Sequence, residues 1–190
     1  MRSHHPLFFT LSSIFFPIFF VIFTFHHTTS STTLIRDTCK RCSDTDPNLS
    51  YNFCTTSLES SPDSRRCQDL HGLGLLSMNL TKQNVTSTRN FIKHLLKNKK
   101  KKLDPYVKEC LSDCMELYRD AILSIKDAMK DFKDQAYDDA NIAASLVTDA
   151  STTCEDGFKE KENVVSPLTK RNNDTFQLTA ISLSIINMLN

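Results

Sequence analysis

Between four Asp-Pro or Ser-Pro pairs, the apolar residues of this chain recur at steps of three and four, and that spacing admits little besides helices. The clearest stretch follows Asp104-Pro105. Val107, Leu111, Cys114, Leu117 or Tyr118, Ala121 or Ile122, Ile125, Ala128 or Met129, and Phe132 form one stripe, with charged residues on the other faces. A period of 3.6 puts such side chains on one side of a helix, here about seven turns long. A second helix is predicted from about residue 137 to 159, where Ala140, Ala143, Leu146 or Val147, Ala150, Cys154 and Phe158 share a stripe whose small residues allow close packing. Leu70, Leu73, Leu76, Met78 and Leu80 predict a helix near 63–84, and Phe91, Ile92, Leu95 and Leu96 predict another. The last helix, from Phe176 through Leu178, Ile181, Leu183, Ile185, Ile186, Met188 and Leu189, is apolar on most of its face and therefore predicted to be well buried. Asp46-Pro47, Ser61-Pro62, Asp104-Pro105 and Ser166-Pro167 read as helix starts, because Pro fits a first helical turn and is costly inside a helix. The only glycines are Gly72, Gly74 and Gly157, too few for hairpins or phosphate-cradling loops. Short connections between long helices favour antiparallel neighbours and an all-α up-down bundle. Ahead of it, the residues before Pro62 form two short helical or extended arms carrying Cys39 and Cys54.

Residues 7–25 are a nearly continuous apolar run preceded by Arg2 and followed by His-His-Thr-Thr-Ser-Ser-Thr-Thr. That layout is a secretory signal peptide, expected to span 1–30 with cleavage near 27–33; Pro17 and the interspersed Ser and Thr argue against a membrane anchor of similar length. What remains, 31–190, suits one domain with a real core. It keeps 22 basic residues, since only Arg2 is lost, against all 22 acidic ones, so strong steering of nucleic acid is not expected. No second long apolar run follows, so no membrane attachment is expected after cleavage. All seven cysteines, Cys39, Cys42, Cys54, Cys67, Cys110, Cys114 and Cys154, lie in this part. Export makes disulfides the default, and the odd count leaves at least one thiol over. Four sequons, at Asn48, Asn79, Asn84 and Asn173, are candidate glycosylation sites.

The residues offer little to an enzyme. Beyond residue 30 only His71 and His94 remain, and neither lies near a nucleophile signature. A zinc set could be assembled from Cys39, Cys42, Cys110 and Cys114, but no histidine spacing accompanies it. The Cys39-Lys-Arg-Cys42 pair lacks the βαβ context of a redox motif. The acidic pairs Asp138-Asp139 and Glu155-Asp156 read as solvated helix faces. No metal, cofactor or catalytic residue is expected. The run Lys-Asn-Lys-Lys-Lys-Lys at 97–102 is a solvated loop between helices or a contact for a polyanion such as an acidic polysaccharide. Cys110 and Cys114 lie one helical turn apart, and either can staple its helix to the one carrying Cys154.

Several motifs run in order along the chain. They are Thr38-Cys39, Tyr51-Asn-Phe-Cys54-Thr-Thr-Ser-Leu58, Asp69-Leu-His-Gly-Leu-Gly-Leu75, Asp113-Cys114-x-x-Leu-Tyr118-x-Asp-Ala121, Thr153-Cys154-Glu-Asp-Gly-Phe158-Lys-Glu-Lys161, Val165-Ser-Pro-Leu-Thr-Lys170 and Gln177-Leu-Thr-Ala-Ile-Ser-Leu183. Through them the chain resembles the plant invertase and pectin methylesterase inhibitors over essentially all of 31–190. The resemblance implies an all-α, up-down-up-down four-helix bundle (62–190) with an N-terminal helical hairpin (31–61). It implies disulfides Cys39–Cys54 and Cys114–Cys154, leaving Cys42, Cys67 and Cys110 outside the pattern. It also implies inhibition of a cell-wall or vacuolar enzyme, a pectin methylesterase or an acid invertase, by a secreted monomer or homodimer. Several invertase-directed members carry Pro-Lys-Phe between the third and fourth bundle helices; the region taken to correspond here, 133–137, reads Lys-Asp-Gln-Ala-Tyr. The inhibitory contacts themselves are not named by the sequence. A non-inhibitory secreted binding or carrier protein, similar to a pollen allergen, is the alternative, and a secreted hydrolase the more distant one.

Overall fold

The structure is a computed structural model and describes residues 31–98 and 103–190. The leader, the first four residues of its cleavage window (27–30) and Lys99 to Lys102 lie outside the described residues. A short pair of helices, α1 (Ser31–Thr45) and α2 (Tyr51–Glu59), is followed by a 3-10 turn at Pro62–Arg66. Four long helices come next: α3 (Leu70–Lys97), α4 (Pro105–Lys133), α5 (Tyr137–Lys159) and α6 (Thr169–Leu189). α4 packs on α3 and α5, and α6 packs on the same two, so α3 and α5 lie across the bundle from each other.

Side-chain caps set several helix starts. Asp69 accepts from the Gly72 amide at 2.7 Å, Asp104 accepts from the Tyr106 amide at 2.9 Å ahead of Pro105, and Ser50 accepts from the Phe53 amide at 3.3 Å. Of the four predicted Pro starts, Asp104-Pro105 opens a long helix as expected. Ser61-Pro62 opens only the 3-10 turn, Pro47 sits in the α1–α2 turn, and Pro167 precedes α6. A larger correction concerns α3. The helices predicted near 63–84 and around Phe91 are one helix of 28 residues that begins at Leu70. Thr81 and Thr88 take buried stripe positions between Met78, Val85 and Ile92, so the stripe runs on through a polar stretch. A buried Thr is tolerable there because its hydroxyl can bond back to the preceding turn, as Thr81 does to the Ser77 carbonyl at 3.0 Å.

Two cores share the helices α3 and α6. The bundle core holds Tyr118, Ile125, Phe132, Val147 and Phe158; the hairpin core joins Ile35, Cys39, Cys54 and Leu58 to Leu73, Ile181 and Ile185. α6 borders both, which is why so much of its circumference is buried, including the polar residues Asn172, Thr175, Gln177, Thr179 and Ser182. Gln177 pins the hairpin turn, accepting from the Ser50 amide at 2.9 Å and donating to the Asn48 carbonyl at 2.5 Å. At the far end of α4 the Phe132 ring stacks on His71 at 4.8 Å and meets Tyr137 edge-on at 5.4 Å. It comes so near α3 that a Cβ on Gly74 would lie 2.4 Å from its Cζ, so only glycine leaves room for the ring.

A polar layer crosses the bundle core. The Tyr118 hydroxyl donates to Asn172 Oδ1 at 2.7 Å and lies 3.1 Å from Thr175 Oγ1. Thr175 donates on to Asn84 Oδ1 at 2.7 Å, and Asn172 Nδ2 donates to Glu155 at 2.7 Å. Four helices thus meet through one chain of hydrogen bonds, and burial holds the Tyr118 phenol up at about 12. Replacing Tyr118 by Phe strands Asn172 Oδ1, an expected loss of about 1–3 kcal/mol in chemical unfolding near neutral pH. The sign of the pH effect follows from the raised value. The Tyr118 contribution is complete below about pH 10 and drains away as pH rises towards 12. That amounts to about 2–3 kcal/mol of alkaline destabilisation, which Tyr118→Phe should abolish. Identical alkaline slopes for both proteins would contradict the assignment.

The disulfides are Cys39–Cys54, joining α1 to α2 with Cα atoms 5.6 Å apart, and Cys114–Cys154, joining α4 to α5 at 5.0 Å. Cys42, Cys67 and Cys110 are free and buried, and burial pushes all three thiols up. Cys110 points at the Gly157 carbonyl, 3.5 Å away, one turn beyond Cys154 on α5. Cys114 rather than Cys110 therefore takes the staple, and the pairing that the sequence left open is resolved.

Candidate docking surface

Among the described residues the two histidines do not come together. His71 is half-buried against Phe132, while His94 is exposed 23 residues further along the same straight helix, a separation of about 35 Å. Cys39 and Cys114 are committed to disulfides, so neither the zinc set nor the Cys39-x-x-Cys42 redox pair exists as free thiols. Among the described residues no group of three His, Cys, Asp or Glu side chains is placed to hold a metal. The described helices include none long and apolar enough to cross a membrane.

What the bundle does present is a rigid outer face on α4 and α5. Their stripes bury Tyr118, Ala121, Ala128 and Val147, which resolves each either-or position of the sequence patterns and turns Leu146 outward; on α5 it is Ala144, not the expected Ala143, that is fully buried, because the stripe is turned by one residue. Leu123 on α4 is then 55% exposed, and Ile142 and Leu146 on α5 are 65% and 53% exposed. Counting antiparallel from Cys114–Cys154 brings Leu123 level with residue 145 on α5. Large apolar side chains held to water on adjacent helices mark an interaction site. The rim is acidic on the α5 side, where Asp138, Asp139 and Asp149 surround Ile142 and Leu146. Single off-stripe apolar residues are the signal that could have flagged these three positions; it is weak, because isolated exposed leucines are ordinary.

At the tip of this face the α4–α5 turn runs through Gln135, whose φ of 59° reverses the chain with its amide donating to the Phe132 carbonyl at 3.1 Å. This turn joins the second and third bundle helices. Residues 133–137 therefore do not occupy the position between the third and fourth helices where the resemblance places Pro-Lys-Phe. That position is the segment from Glu160 to Leu168, which also lacks the motif and bears Val165 at 84% exposure. The sequon residues differ in access: Asn48 and Asn173 are exposed, whereas Asn79 and Asn84 are half-buried along α3.

Comparisons with known proteins agree with this architecture. The family model described as plant invertase/pectin methylesterase inhibitor matches residues 33–185. A protein of Platanus acerifolia named "Putative invertase inhibitor" is 46% identical over 159 residues, covering 84% of this chain and 87% of the relative. "Pectinesterase inhibitor 12" of Arabidopsis thaliana is 33% identical over 157 residues, covering 83% and 88%. A crystal structure of a mutant pectin methylesterase inhibitor from Arabidopsis superposes with a TM-score of 0.68 at 22% identity, covering 85% of this chain and 99% of that one, and so matches in fold. These relatives are inhibitors rather than enzymes, and they do not favour the carrier reading. Helical architecture and matching sequence over residues 33–185 converge: the chain belongs to the plant invertase/pectin methylesterase inhibitor family.

Proposed function

We propose that this protein is a secreted inhibitor that docks the outer face of α4 and α5 onto a pectin methylesterase of the cell wall. The observation that carries the docking site is the set of exposed apolar side chains, Leu123, Ile142 and Leu146, on two helices locked together by Cys114–Cys154. A preorganised face loses little entropy on binding, so a few such anchors suffice for tight association. Absence of Pro-Lys-Phe from the α4–α5 and α5–α6 connections favours pectin methylesterase over acid invertase. The names of the Platanus relatives favour invertase, which is the second reading. Export is supported by the apolar leader and the disulfides, and Asn48 and Asn173 are the sequons expected to carry glycans.

Titrating the oxidised protein against purified pectin methylesterase and acid invertase at mildly acidic pH tests the target. Stoichiometric loss of pectin methylesterase activity is expected, and inhibition of neither enzyme refutes the function. The double variant Ile142→Asp/Leu146→Asp is expected to weaken inhibition at least about thirtyfold, the size of a central hot spot of 2 kcal/mol. Unchanged inhibition by a normally folded double variant would move the docking site elsewhere.

A further inference from the structure

The bundle is electrically two-sided. α3 contains no acidic residue, and its cations Lys82, Arg89, Lys93 and Lys97 are spaced by seven, four and four, a single row about 22 Å long. α4 answers with Lys108, Arg119, Lys126 and Lys133, spaced by eleven, seven and seven, so these too share one face. That face is the one turned towards α3, because it adjoins Leu111, Ile122 and Met129 on the side of α4 away from Cys114. The acidic residues of α4, such as Asp113, Asp120 and Asp127, fall about 100° further round, on the side facing α5 and solvent.

Phe132 packs on Gly74, which sets the antiparallel register. Lys126 then lies level with residue 80, Arg119 with residue 87 and Lys108 with residue 98, each within a turn of Lys82, Arg89 and Lys97. The two rows therefore form a ladder of like charges along the α3–α4 seam. Arg119 is neutralised locally by Glu116 and Asp120. The others are not. Among the described residues no ion pair reaches Lys82, Arg89, Lys93, Lys97, Lys108, Lys126 or Lys133, while Lys40, Lys130, Lys159 and Lys170 elsewhere on the surface each have a carboxylate. Arg89 Nε is also buried without a hydrogen-bond partner.

We infer that the α3–α4 seam is a binding surface for a linear acidic polysaccharide, a chain of uronate residues. Placing seven uncompensated cations side by side costs repulsion that a polyanion removes, and counterion release from a regularly charged polymer adds to the gain. The straight double row suits an extended chain rather than a compact anion. Between the cations the exposed polar residues include Thr86, Asn90 and Ser112, which can bond sugar hydroxyls. No exposed aromatic side chain lies in the seam to stack on bases or to enter a lipid surface, so nucleic acid and membranes fit it less well. The seam borders the outer α4–α5 face at Leu123, which stands between Arg119 and Lys126, whereas Ile142 and Leu146 lie beyond it on α5 and the α3 row lies on the other side. The inference goes beyond the inhibitory reading and does not depend on it.

The test uses the full oxidised domain on a matrix bearing polygalacturonate. Lys82→Glu/Lys93→Glu/Lys126→Glu is expected to weaken retention at least tenfold at low salt and to lower the slope of log affinity against log salt by about 2. A control with the same change in charge, Arg41→Glu/Arg65→Glu/Lys170→Glu, is expected to lose less than threefold. Equal losses would reduce the effect to net charge and overturn the inference. So would retention that depends only on Lys99 to Lys102, or tighter binding to duplex DNA or phosphatidylserine vesicles than to polygalacturonate. Circular dichroism of each variant establishes folding, and enzyme titration of Lys82→Glu/Lys93→Glu, whose sites lie on α3 away from Leu123, is expected to be unchanged and keeps this question separate from inhibition.

Discussion

Removing the bundle staple with Cys114→Ser/Cys154→Ser should lower the melting temperature by about 8–16 °C. The pair closes a stretch of 40 residues, and a loop of that size contributes about 4 kcal/mol by restricting the unfolded chain. In a domain of this length each kcal/mol moves the transition by about 2–4 °C. Both cysteines must go, because Cys114→Ser alone frees Cys154 one turn from Cys110 and invites the exchanged bridge. The hairpin pair closes only 15 residues, so Cys39→Ser/Cys54→Ser should cost about 3 kcal/mol. Thermal unfolding followed by circular dichroism, with and without reductant, checks both. Reductant should destabilise the native protein by both contributions and the Cys114→Ser/Cys154→Ser variant only by the hairpin share of about 3 kcal/mol. A shift under 2 °C for that variant would mean the staple contributes nothing to the equilibrium.

Phe132→Ala is the other large change, with an expected loss of about 3–5 kcal/mol. The ring is fully buried at the place where α3, α4, α5 and α6 come together, in contact with His71, Tyr137 and the bare backbone of Gly74, beside Ile185. Collapse around the void is hindered on both sides. α3 already approaches as closely as a glycine permits, and Gln135 holds the following turn in a left-handed conformation. Phe132→Leu keeps most of the volume and should cost about 1–1.5 kcal/mol. Urea unfolding of the two variants measures the difference. Equal midpoints for Phe132→Ala and the native protein would show that the site can relax after all.

The bundle helices were legible because periodicity and caps agreed, as at Asp104-Pro105, where the cap, the first-turn proline and a stripe from Val107 to Phe132 all point to one helix. α3 was less so, because Thr81 and Thr88 stand in the core where a pattern of apolar residues has no entry. Pro47 and Pro167 misled for a simple reason: proline permits a helix start but equally permits a turn, and Ser50 and Leu168 are the residues that precede α2 and α6. The disulfide partners were ambiguous between Cys110 and Cys114, since a one-turn spacing places both near α5; only the rotation and register of the two helices decide. The docking face was hidden for the opposite reason. Ile142 and Leu146 look like core residues in composition, and only the observed packing turns them outward. The basic seam needed tertiary information too, because its two rows are separated in sequence and become neighbours only when α3 and α4 fold against each other.

α6 belongs to both cores, and it follows every other helix in chain order. Neither core can therefore close while α6 is still being made, and the nascent chain must wait with its cysteines reachable. Cys39–Cys54 can form from the hairpin alone, whereas Cys114–Cys154 has a rival in Cys110 until α5 and α6 settle. Closure of both cores thus depends on α6.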